Sequence, residues 1–210
     1  MFVTCLITAN IIAVKVISIG ALIMPAAIIV FPLSYIFGDV LTEVYGFRMT
    51  RKVIWLGFAC NLIFVIFVWA GQLLPAASFW TGQEAYETIL GYTPRLLAAS
   101  FCGYLVGEFA NSLVLARLKI LTRGRWLWTR TIGSTVVGQG LDTSIFITLA
   151  FIGTPSFMPV MILYHWLVKT GIEVVATPFT YVIVKHLKKK ESLDTYDYQT
   201  NFNPFVVSEK

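Results

Sequence analysis

Residues 31–46 read FPLSYIFGDVLTEVYG, and their relation to a membrane decides the fold of the whole chain. They close an apolar run that opens at Ala21 with ALIMPAAIIV, so the two stretches read together as one bilayer-crossing segment. A helix facing lipid has no use for Pro32, nor for Asp39 and Glu43 one helical turn apart. Proline frees backbone carbonyls, and a charged side chain near the bilayer centre costs about 2.5–3.5 kcal/mol or more. Both persist only where protein or a water-filled cavity satisfies them. The stretch is therefore expected to be a bent span that carries polar groups into a cavity.

The rest of the chain agrees with a membrane setting. Of 210 residues, 57% are hydrophobic and 13% charged, with a mean hydropathy of +0.76, against the about 25% charged residues of ordinary soluble domains. The net charge of +5 does not point to nucleic acid, because the basic residues sit in short clusters between apolar runs. Cys5, Cys60 and Cys102 all lie inside apolar runs without a CxxC, so buried inert thiols are expected rather than disulfides or a zinc site. The N-terminus enters its apolar run at once, without a basic region or cleavage signal, and reads as a retained span.

Six apolar runs predict an all-α membrane protein, a bundle of six transmembrane helices over about residues 2–19, 22–45, 52–74, 94–117, 130–153 and 159–187. Residues 1–187 form one transmembrane domain, and 188–210 a polar, poorly ordered cytoplasmic tail. Arg48, Arg51 and Lys52 mark one loop, Arg117, Lys119, Arg123, Arg125 and Arg130 another, and Lys185, Lys188, Lys189 and Lys190 the end of the last span. The alternate connections carry only Glu84 and Glu87, with Arg95 at the edge. By the positive-inside rule both termini are cytoplasmic, with Trp80, Tyr92, Trp126 and Trp128 as interfacial anchors.

Lys15, Asp39, Glu43, Glu108, Asp142, Lys169 and Glu173 remain inside spans. Lys169 and Glu173, at i and i+4, could simply pair, whereas Asp142 has no local cation. From the helical rise, Asn10, Asp142 and Lys169 fall near the midplane, and Asp39, Glu108, Asn111 and Glu173 one to two turns nearer the cytoplasm. Transporter sites lie near this depth. Pro25, Pro32 and Pro178 interrupt spans near these groups, and Gly133, Gly138 and Gly140 precede Asp142, allowing close packing or local unwinding. Gly103 and Gly107 form a GxxxG packing face, on which a homodimer is expected. No HExxH, GxSxG or Walker loop is present, and His165 and His186 lie far apart. No metal, cofactor or enzymatic activity is expected. The carboxylates admit an intramembrane hydrolase as a lesser alternative.

AN at 9–10, FPxxYxxxD from Phe31 to Asp39 with Thr42 following, STxxGQxxDTxxF from Ser134 to Phe146, and Lys169 before Pro178 together resemble the queuosine-precursor transporter family, which is vitamin-uptake-transporter-like. The resemblance covers nearly the whole chain and implies import of 7-cyano- and 7-aminomethyl-7-deazaguanine (preQ0 and preQ1) across a bacterial inner membrane for tRNA queuosine modification. Some members carry other residues at positions 43, 108 and 111. The residue chemistry fits such a ligand, because a guanine-like edge offers two adjacent N–H donors beside a carbonyl. Asp142 with Gln139, Asn10 and Lys169 supplies the complement, Phe31, Tyr35 and Phe146 can stack on the ring, Glu108 or Asp39 can partner the cation of the aminomethyl variant, and Asn111 is a further substrate-binding candidate. Asp39, Glu43 and Glu173 are candidates for proton or ion coupling. Expected partners are the nucleobase, the lipid bilayer and a second copy of the chain, with no direct nucleic-acid binding. A substrate-binding subunit of an energy-coupling-factor vitamin importer is the main alternative, which co-purification with ATPase subunits would favour.

The charge asymmetry makes a direct test of topology. Single cysteines at Gln83 and Thr154 should react with an impermeant thiol reagent from outside, and one at Arg123 should not. Labelling of all three from one side would reject the arrangement.

Overall fold

The computed structural model describes residues 1–19, 22–91, 94–153 and 157–206; Tyr92 and the Phe31 side chain lie outside the described set. In chain order the elements are α1 (Phe2–Ile12), β1 (Val16–Ile19), β2 (Leu22–Pro25), a 3-10 turn (Ala26–Ile29), α2 (Phe31–Val40), a π turn (Leu41–Tyr45), α3 (Phe47–Leu73), α4 (Gln83–Leu90), α5 (Pro94–Leu121), α6 (Leu127–Phe151) and α7 (Val160–Glu191).

The first two expected spans are not continuous helices. α1 has 11 residues, roughly 16 Å, about half the hydrocarbon thickness. It gives way to an antiparallel hairpin in which Val16 pairs with Pro25 and Ile19 with Leu22. Val16, Ile17, Ile19 and Ile23 are β-branched, a type that favours strand over helix. The base of the hairpin is closed by Ala26 N–H donating to the Lys15 carbonyl at 2.7 Å. Lys15, expected inside a span, is exposed at the bend before β1. Pro25 precedes the 3-10 turn and Pro32 lies in the first turn of α2, where a missing N–H leaves no helical bond broken.

The later expectations fare better. α3, α7 and the helix ending at Leu121 are long and apolar enough to cross a membrane. α3 exposes Leu56, Ile63, Ile66, Phe67, Trp69 and Leu73, and α7 exposes Val174, Val175, Phe179 and Val182, the arrangement of helices turned toward lipid. α6 is built the other way. Its buried face runs through Arg130, Thr131, Ser134, Thr135, Gly138, Gln139 and Thr143, a polar stripe at helical spacing turned inward against α5 and α7.

Close approach of α5 and α6 depends on their glycines. A methyl group at Gly107 would meet the Asp142 Cβ at 2.6 Å, and one at Gly138 would meet the Asn111 Cβ at 2.7 Å. The Gly103–Gly107 face is thus occupied within one chain. It offers no surface for the expected homodimer, because the facing helix is already α6. α6 runs unbroken through Gly133, Gly138 and Gly140, so these glycines serve packing rather than unwinding.

Residues 192–206, expected to be poorly ordered, instead form a strap across the ends of α3 and α5. Asp197 accepts the Phe47 N–H on both carboxylate oxygens, at 3.1 and 3.0 Å, capping α3. Arg51 donates to the Asn201 and Asn203 carbonyls at 2.7 and 3.0 Å, and Trp55 Nε1 to the Pro204 carbonyl at 2.9 Å. Phe202 packs 5.2 Å from Phe47, with the Arg117 guanidinium over its ring, and Phe205 lies 6.0 Å from Trp55. Composition alone predicts disorder here. The aromatics Phe202 and Phe205 have an apolar surface waiting for them on α3.

Gly46, at φ +82°, turns the chain between the π turn and α3, and a methyl there would meet Thr195 Cγ2 at 2.8 Å. Loss of the Asp197 cap should reduce stability by about 0.5–2 kcal/mol. We expect Asp197→Ala to lower the thermal unfolding temperature in detergent and to expose residues 198–206 to limited proteolysis. Unchanged protease resistance would show that the strap holds without its cap.

Candidate binding site

The polar stripe of α6 supplies the middle of the site. Asp142 sits where Gly103 and Gly107 leave room on α5, and its Oδ2 lies 2.7 Å from Lys169 Nζ of α7. Lys169 therefore bridges to Asp142 across helices, and the local Lys169–Glu173 pair drawn from spacing does not form among the described contacts. An exposed i, i+4 pair contributes only about 0.2–0.5 kcal/mol, less than a partly buried charge-assisted hydrogen bond. The absence of a local cation for Asp142 in the sequence is met by a distant one. Phe146, one turn further along α6, borders the same glycine gap, with its ring edge-on to Phe151 at 6.4 Å.

Tyr35 of α2 donates its hydroxyl to Gln139 Oε1 at 2.9 Å, joining α2 to α6 in the buried interior. Asn10 donates to Asn61 Oδ1 of α3 at 2.9 Å, which ties α1 to α3. The structure thus brings Tyr35 and Gln139 together, and Asp142 and Lys169 together. Asn10 is engaged with Asn61, a residue the sequence reading had not singled out.

A second polar layer contains Asp39, Asn111 and Glu173. Asn111 Nδ2 of α5 donates to Asp39 Oδ1 at 3.0 Å. Asp39 Oδ2, Asn111 Oδ1 and both Glu173 carboxylate oxygens are buried without a hydrogen-bond partner. Glu108 lies beside this layer, since a methyl on Gly38 would stand 3.5 Å from its Oε2. Pro178, five residues beyond Glu173, lies inside α7. Thr177 satisfies the Glu173 carbonyl with a 2.8 Å hydrogen bond from its side chain.

Glu43 belongs to a third layer with a different character. The π turn places its carboxylate, fully buried, against Arg130 of α6, which binds it in bidentate fashion at 2.7 and 2.8 Å. Lys188 of α7 adds a 2.6 Å contact, and Lys119 of α5 donates to the Glu43 backbone carbonyl at 2.5 Å. Asp194 of the strap then bridges Lys119 and Lys188 at 2.6 and 2.8 Å. Arg130, Lys119, Lys188 and Asp194 were missed as a group, because cations near span ends also serve as topology signals. The signal that could have found them is Glu43 itself, since a buried carboxylate needs a counter-charge within reach.

Two cavities, of about 300 and 540 Å³, open around Trp80 and Tyr86 near the α3–α4 connection, and neither is lined by the polar layers. Among the described residues, no three His, Cys, Asp or Glu side chains gather as a metal site.

A family described as "Putative vitamin uptake transporter" matches residues 25–183. A Bacillus subtilis protein named "Probable queuosine precursor transporter" is 32% identical over 193 residues, covering 88% of this chain and 82% of that protein. The "Queuosine precursor transporter" of Escherichia coli is 27% identical over 138 residues, 65% of this chain and 58% of its own length. A "Probable queuosine precursor transporter" of Haemophilus influenzae is 27% identical over 121 residues, 58% of this chain and 49% of its own. These relatives are named as transporters, not enzymes. No solved structure matches the chain.

The third layer gives two measurable expectations. Arg130→Gln removes the bidentate partner of a fully buried carboxylate and should cost about 3–5 kcal/mol in thermal unfolding in detergent. Burial alone would raise the Asp194 carboxyl, but hydrogen bonds and charge from Lys119 and Lys188 hold it below its usual value. A carboxyl lowered on folding stabilises above its unfolded pKa, and that contribution is lost as pH falls through the lower folded one. Strap docking, followed by protease access after Glu191, should therefore hold at neutral pH and weaken below about pH 3.9. Asp194→Asn should remove that acid dependence, and an identical acid profile in the variant would reject this role for Asp194.

Proposed function

The chain belongs to the putative vitamin uptake transporter family, and from that premise we propose that it imports 7-deazaguanine precursors of queuosine, 7-cyano- and 7-aminomethyl-7-deazaguanine, across a bacterial inner membrane. The imported base would feed queuosine modification of tRNA. The observation that carries the reading is the similarity to a named queuosine precursor transporter over 88% of this chain. The polar residues buried between apolar helices support it, because a carrier needs hydrogen-bonding groups at membrane depth and a structural subunit does not.

In this reading the Asp142–Lys169 pair is the base-reading element. An acceptor and a donor held 2.7 Å apart are the complement of adjacent N–H and carbonyl groups on a guanine-like edge. The base would separate the two charges, with Asp142 accepting the N–H donors and Lys169 donating to the carbonyl. Gln139, held by Tyr35, and Asn10 would complete the polar contacts. Tyr35 and Phe146 would face the ring. Glu108, Asn111 and Asp39 would lie toward the 7-substituent. Glu43 has its charge met by Arg130 and Lys188, so coupling to an ion falls to Asp39 or Glu173 rather than to Glu43.

Cells unable to make deazaguanines should accumulate labelled precursor base when they express this chain, and remain at background without it. Asp142→Asn should weaken binding of 7-cyano-7-deazaguanine by about 1–3 kcal/mol, because it places an N–H where the ligand also presents one. Calorimetry on folded protein checks this. Wild-type affinity in the variant would move the base-reading acid elsewhere.

A further inference from the structure

The second polar layer leaves four buried atoms orphaned, Asp39 Oδ2, Asn111 Oδ1, Glu173 Oε1 and Glu173 Oε2, contributed by α2, α5 and α7. Asp39 and Glu173 are fully buried and Asn111 is 7% exposed. The amide settles the direction of the unmet need. Asn111 spends a donor on Asp39 Oδ1, which leaves its carbonyl oxygen without a partner beside the carboxylates. A hydroxyl can turn to donate or accept, whereas an amide oxygen and an ionised carboxylate only accept.

The titratable groups acting on Asp39 are all acids: Glu173, Glu108 and Glu43, from α7, α5 and the π turn. Glu43 is already neutralised by Arg130 and Lys188, and the Lys169 ammonium is held by Asp142. Among the described residues, what remains is a buried group of oxygens bordered by acids and hydrogen-bonded to no cation. Its complement is a compact group with several N–H donors and a positive charge.

We infer that Asp39, Asn111 and Glu173 form an ammonium-selective subsite that makes the carrier prefer an amine-bearing 7-deazaguanine over its uncharged nitrile counterpart. The inference rests on the proposed deazaguanine function and adds to it the part of the ligand that this layer reads. The 7-aminomethyl group is protonated at neutral pH and carries three N–H donors, enough to meet three of these four oxygens. The nitrile carries only a lone pair and no donor, so it would face acceptors with an acceptor. Burying the ammonium against the two acids sets a positive charge and donors beside them, while the nitrile supplies neither.

The test is calorimetric binding of both bases to the purified full chain in detergent, with each variant checked for folding by thermal unfolding. Wild type should bind 7-aminomethyl-7-deazaguanine at least tenfold more tightly than 7-cyano-7-deazaguanine. Glu173→Gln should bring the ratio of the two affinities close to one, and Glu173→Asp should restore most of it. A wild-type ratio at or below one overturns the inference. So does a ratio that survives Glu173→Gln in folded protein, because the ammonium is then read elsewhere. If folded wild type binds neither base, the deazaguanine function itself fails and the subsite falls with it. If both bases bind equally, the function stands and only the subsite is lost.

Discussion

The Glu43 carboxylate, clamped by Arg130 and touched by Lys188, is the contact on which the arrangement of helices depends. It draws the π turn, α6 and α7 to one point, and Lys119 brings in α5 through the Glu43 backbone carbonyl. A fully buried ion pair is not in itself a strong source of stability, because desolvation of both partners opposes the Coulomb gain. Its consequence is specificity. With three cations and a carboxylate committed to one geometry, any register shift of α6 or α7 would leave charges unpaired in a low-dielectric interior. The π turn contributes by widening the helix where it offers both the Glu43 side chain and its carbonyl, and Gly46 then turns the chain into α3.

The same lock reaches outward to the strap. Asp194 is held by Lys119 and Lys188, Thr195 N–H donates to the Val44 carbonyl at 3.2 Å, and Asp197 caps α3 three residues later. A segment with the composition of a disordered tail becomes ordered because its few polar and aromatic groups meet partners that the helix ends leave open. The first N–H groups of α3 lack helical acceptors, and Asp197 supplies one. The cations at the ends of α5 and α7 thus serve the fold as well as the topology signal.

Above the lock the polar groups differ in how far they are satisfied. Tyr35 with Gln139 and Asp142 with Lys169 are matched pairs within the protein. Asp39, Asn111 and Glu173 retain unmatched acceptors. A protein selected only for stability would pair or remove such groups, since each buried orphan costs about 1–3 kcal/mol. Under the proposed carrier function, the unmatched acceptors would be the binding capacity kept open for a ligand.

Composition and apolar run lengths by themselves determined that this is a helical membrane chain, and they placed α3, α5, α6 and α7 within a few residues of their ends. Those features are local, because a span must be long and apolar whatever it packs against. The carboxylates and amides of the interior were also legible, since a polar side chain in an apolar run stands out without any knowledge of its partner. Only the tertiary structure decided the partners. Lys169 reaches Asp142 on α6 rather than Glu173 on its own helix, Glu43 is met by cations 76 to 145 residues away, and Gly103 and Gly107 pack within the chain rather than against a copy. The hairpin at 16–25 was likewise hidden, because a short apolar run has no period that separates strand from helix. Pairing over such separations depends on which faces meet when the helices close, and no window of sequence contains that information.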